Sequence, residues 1–186
     1  MNFETMPKKA LSGFIKIYQV DALTSTRELI LEQPNMILNN GSRIIAYSLA
    51  GVPNSKIWGM YIGYNNDPSG SFEKLAIEGT YAHPFRVDGY FGYIREPLTF
   101  DPTYLSDAGY VDNIVLFSTM ITAANSTLGS TLRSGTSSLF EVGLIAALDP
   151  SSADKDLVFS RTQFNSITYN SNYNLNIVWG IKTDLS

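Results

Sequence analysis

Cysteine is absent from the 186 residues. That removes disulfides, thiolate metal sites and cysteine nucleophiles together, and it fits synthesis in a reducing cytoplasm. Histidine is nearly absent too. The one histidine, His83, precedes Pro84 and has no second His or Cys to share a metal with, so it reads as a turn residue. A Ser-His-Asp triad would have to use it, but no G-x-S-x-G elbow exists to carry the serine. Charge is scarce at 16% of residues, against about 25% in ordinary globular chains. Asn, Ser and Thr take its place in NNGS, YNND and YNSNYN. The net charge of −4 gives nothing to draw in a polyanion, so no nucleic-acid partner is expected.

Long apolar runs are missing as well. No stretch approaches the roughly 18 residues that a membrane helix needs, so no membrane partner is expected. The opening MNFETMPKKALSGFIKIYQ lacks the apolar run of a secretory signal. Neither G-x-x-x-x-G-K-[ST] nor G-x-G-x-x-G occurs, and no cofactor is expected.

What the chain does contain is strand-like alternation. Phe14, Ile15, Ile17, Tyr18 and Val20 form one strand, and RELILEQ, closed by Pro34, forms a second; together they predict a hairpin. A helix is expected over about 35–50, with Asn35 as N-cap and Gly51 as stop. Gly41 inside it costs about 1 kcal/mol against Ala, which makes sense if another backbone crosses closely there or if the helix begins at Ser42 instead. KIWGMYIGYN is a further strand. VDNIVLFSTMIT has apolar residues on both faces, which implies burial on both sides. SLFEVGLIAAL and DLVFSRTQF follow, and in YNLNIVWGIKT the alternation of Leu175, Ile177, Trp179 and Ile181 predicts a half-buried strand. The expected fold is mainly β: an antiparallel β-sandwich, jelly-roll or Greek-key-like, with one early helix. Residues 1–12 form an extension and residues 13–186 a single domain.

Three chemical readings follow from the residues. Glu73 with Glu78, or Asp101 with Asp107 and Asp112, supply carboxylates for glycoside hydrolysis, though scattered loop acids are ordinarily just solvated. Asn65-Asn66-Asp67 ahead of Gly70 lacks the alternating acids of a calcium loop and reads as a turn. The aromatics Tyr81, Phe85, Tyr90, Phe91, Tyr93, Tyr104 and Tyr110 suit either a subunit interface or stacking on sugar rings. A glycan is therefore a possible ligand.

Motifs recur in a set order: Asn35, Ile37, Gly41, Ile45 and Ala46; Ile62 and Gly63; Glu73, Leu75 and Glu78; Glu141, Gly143 and Leu144; Arg161 and Phe164; Trp179 and Ile181. The ordered set resembles bacteriophage virion structural proteins, those of tails, tail fibres and necks or attached to capsids. The resemblance implies a non-enzymatic protein, made in the host bacterial cytoplasm and placed in the virion, that forms homo-oligomers and docks on other virion proteins. Glu141 and Arg161 lie on strands expected to be neighbours, where an ion pair would fix register.

Overall fold

A computed structural model describes residues 11–65, 91–98, 114–122, 138–147, 156–169 and 172–183. The expected hairpin is β1 (Leu11–Asp21) with β2 (Arg27–Pro34). Its turn is built on Asp21, whose Oδ1 accepts from the N–H groups of Leu23 (2.9 Å) and Thr24 (2.7 Å) and from the Thr24 hydroxyl (3.0 Å). These donors, the Thr24 amide foremost, hold the Asp21 carboxyl below its ordinary pKa. β1 begins two residues ahead of the expected boundary, with Leu11 paired to Thr183.

Past Pro34 the chain changes sheets. Met36–Ile37 (β3) pairs with Arg161 and Ser160, and the helix α1 spans Asn39–Leu49 with Leu38 as its N-cap. Asn35 is thus not the cap that its chemistry suggested. With its amide oxygen turned inward, it accepts from Trp179 Nε1 at 2.5 Å and from the Phe14 N–H at 3.3 Å, which gives the buried indole an acceptor. Gly13 makes room for it, since a Cβ there would stand 2.5 Å from the Asn35 amide. The crossing backbone expected at Gly41 is present. A Cβ there would meet Phe159 O of a neighbouring strand at 3.1 Å. Gly51, at φ 70°, ends the helix, with the Val52 N–H returning to Tyr47 O at 2.9 Å.

The remaining strands are β4 (Gly59–Asn65), β5 (Phe91–Pro97), β6 (Ile114–Ile121), β7 (Ser138–Ala147), β8 (Asp156–Thr168) and β9 (Tyr173–Thr183). They complete two antiparallel sheets, ordered β2-β1-β9-β6 and β3-β8-β7-β4-β5. β1 pairs with β9 in one sheet and β3 with β8 in the other, so the chain passes between the sheets from β2 to β3 and again from β8 to β9. Ile15, Ile17, Ile121, Leu175, Ile177 and Trp179 from one sheet meet Met60, Ile62, Leu139, Val142, Leu144 and Phe159 from the other, and α1 adds Ile44. This is the sandwich core, and apolar burial at about 25 cal/mol per Å² drives it.

Two strands differ from expectation. β9 is not half-buried: Asn176 is 6% and Val178 7% exposed on the face turned from the core. It runs between β1 and β6, and Arg27 reaches over from β2 to Asn176 Oδ1 at 2.7 Å. β6 is not buried on both sides. Among the described strands it pairs only with β9, and its Val115 is 46% exposed.

Candidate functional site

The polar features converge on the face of the five-stranded sheet that points away from the core. Val142 and Leu144 of β7 enter the core, so Glu141 and Gly143 take the opposite face. There Glu141 is fully buried, at 0% exposure. Its Oε1 accepts from the Tyr61 hydroxyl at 3.0 Å and its Oε2 from the Gln163 side-chain amide at 2.5 Å. Tyr61 is placed by β4 and lies flat against Gly143: a Cβ there would come within 2.2 Å of the ring and 2.6 Å of Ser160 O. Tyr61, Ile145 and Val158 form a second apolar cluster, with Leu38 and Trp58 beside it. The arrangement ties β4, β7 and β8 together through neutral donors on a carboxylate, an arrangement that specifies geometry.

Glu141 and Arg161 do lie on hydrogen-bonded neighbours, but the register separates them. Glu141 stands opposite Gln163, and Arg161 opposite Gly143. The same pairing shifts register between Leu139 and Glu141 and between Leu144 and Ile145. The carboxylate therefore takes the Gln163 amide and the Tyr61 hydroxyl in place of the expected guanidinium. Arg161 instead lines a cleft of about 450 Å³ with Gln33, Pro34, Asn35, Thr162 and Gln163. The cleft opens where the chain steps from β2 to β3. Gln33 Nε2 spans it, donating to Thr162 Oγ1 and, at 2.9 Å, to Gln163 O; Thr162 Oγ1 donates to Pro34 O at 3.4 Å.

A second concavity differs in every respect. It is an apolar groove of about 510 Å³ between α1 and the edge of the other sheet, lined by Ile44, Ile45, Ile57, Val115, Phe117 and Ile181 among others.

Of the expected aromatic set, Phe91 and Tyr93 fall in β5, opposite Asn65 and Gly63. Tyr81, Phe85, Tyr90, Tyr104 and Tyr110 lie outside the described residues, as do His83, Glu73, Glu78, Asp101, Asp107 and Asp112. Sequence reasoning missed Tyr61, Gln163 and Gln33. Only the glycine at 143 hinted at a large neighbour. Among the described residues no cluster of His, Cys, Asp and Glu has the makings of a metal site, and no helix is long and apolar enough to cross a membrane. Comparison with protein-family models, with curated proteins and with solved structures gives no match.

Proposed function

We propose that this chain is a non-enzymatic bacteriophage virion structural protein that self-associates and docks on other particle proteins, at a tail, neck or fibre attachment or as capsid decoration. On this reading it is made in the host bacterial cytoplasm and ends in the virion. The observation that carries it is the apolar groove beside α1. Val115 in its wall is 46% exposed, and Leu49, which follows the groove residue Ser48, is 85% exposed. Contiguous exposed apolar surface on a soluble domain marks a place where another polypeptide sits. Low charge and abundant Asn, Ser and Thr suit repeated contacts among identical subunits.

The mass of the purified chain in solution tests this. A stable oligomer is expected, and Val115→Lys should shift it toward smaller species by placing a charge in the groove wall. A monomer at every concentration, or turnover of any substrate by the isolated chain, refutes it.

A further inference from the structure

Arg161 is a charge that the described structure leaves without a partner. The register gives Glu141 to Tyr61 and Gln163. The one ion pair among the described residues joins Lys16 to Glu32, and no hydrogen bond from Arg161 occurs among them. Arg161 is half-buried and lines a cleft of about 450 Å³, a volume typical of small-ligand sites, which span about 300–1,000 Å³. A guanidinium offers a planar fork of donors that matches a carboxylate in two parallel bonds.

The other walls narrow the ligand. Gln33 Nε2 is committed to Thr162 Oγ1 and Gln163 O, and Gln163 Nε2 to Glu141. Each side chain therefore presents its carbonyl oxygen as its remaining acceptor. Pro34 adds an apolar ring at the same opening. A complementary ligand needs an anionic fork for Arg161, hydroxyl donors for two amide oxygens, and a C–H face for the proline. A polyacidic peptide brings further carboxylates against amide oxygens, and an inorganic anion brings no C–H face for the proline. We infer that the cleft between Arg161, Gln33 and Gln163 binds an acidic saccharide, a uronic or sialic acid unit whose carboxylate sits on Arg161. None of its described lining residues lines the apolar groove, so it stands or falls apart from the assembly reading.

Titration calorimetry of the whole chain with digalacturonate and 3′-sialyllactose, set against lactose and a triglutamate peptide, tests it. At least one acidic sugar should bind with a Kd of about 1 mM or tighter, and about tenfold better than lactose or the peptide. Arg161→Gln should lose at least about tenfold. Arg161→Lys, which keeps the charge but not the fork, should lose a smaller factor. In nuclear magnetic resonance spectra of the unaltered protein, the side-chain amides of Gln33 and Gln163 should shift as the sugar is added; this readout does not depend on a variant folding. No binding of either acid up to about 10 mM overturns the inference. So does undiminished binding by a folded Arg161→Gln chain, equal affinity for triglutamate, or binding that leaves both glutamine amides unmoved. A monomeric chain that still binds the acidic sugar refutes the assembly reading alone.

Discussion

On the outward face of the four-stranded sheet, Lys16 meets Glu32 at 3.1 Å and hangs 5.7 Å from the Phe14 ring, while Arg27 stacks 4.3 Å over Tyr18. These cations lay their alkyl stems along apolar surface and keep their heads near water. On the outward face of the five-stranded sheet, a carboxylate is sealed from solvent and held by a phenol and an amide. The two faces carry similar residue types under different solvation, and solvation decides how much each contact is worth. An ion pair that stays hydrated contributes about 0–1 kcal/mol. A buried polar group left without its partner costs about 1–3 kcal/mol, more if it is charged.

The comparison sharpens at Gly143. Gly143→Ala should destabilise by about 3 kcal/mol in urea unfolding, because the added methyl overlaps both the Tyr61 ring and the Ser160 carbonyl. A neutral result would mean that Tyr61 is not packed on β7 and would erase the contrast. Tyr61→Phe comes next. It removes one donor from Glu141 at nearly constant shape, and the expected loss is about 2 kcal/mol by the same measurement. On the hydrated face, Glu32→Ala should cost less than about 0.5 kcal/mol, with the difference fading in high salt, since Glu32 is 51% exposed. The smallest effect belongs to Asp21, whose carboxyl is held below its ordinary pKa by the Thr24 and Leu23 amides and the Thr24 hydroxyl. A depressed folded pKa contributes stability above the unfolded value of about 3.9, and that contribution is lost as pH falls through the folded value. Asp21→Asn should therefore flatten the decline in melting temperature below about pH 4.

The strands were legible because alternation at period two is a direct imprint of a buried face. β1, β2, the second half of β8 and the core side of β9 carry it, whereas β7 is buried on both faces from Leu139 to Ala146. Where the reading failed, information from elsewhere in the chain was needed. Asn35 has the right chemistry for a helix cap, yet the acceptor needed by the Trp179 indole and the passage between sheets claim it. The second face of β9 is buried because β1 and β6 flank it, which is a matter of topology that its own residues do not encode. The neighbouring of Glu141 and Arg161 was anticipated at the level of strands. Their separation depends on the register of β7 on β8, which sets Glu141 opposite Gln163 and Arg161 opposite Gly143, and alternation within a strand does not say which partner residues it faces. The same misplaced pair is what left the Arg161 cleft unforeseen.

The pairing of Leu11 through Asp21 with Tyr173 through Thr183 has a consequence for how the protein is made. β1 is translated well before β9, one of its two hydrogen-bonded neighbours. Until β9 emerges, the inward residues Ile15 and Ile17 have no β9 to lie beside, and only the hairpin with β2 shields that strand. Closure of the sandwich must therefore wait for β9, and it joins segments of very high sequence separation, which is the slow kind of folding. A chaperone that cradles the nascent hairpin would shield its apolar face during that wait.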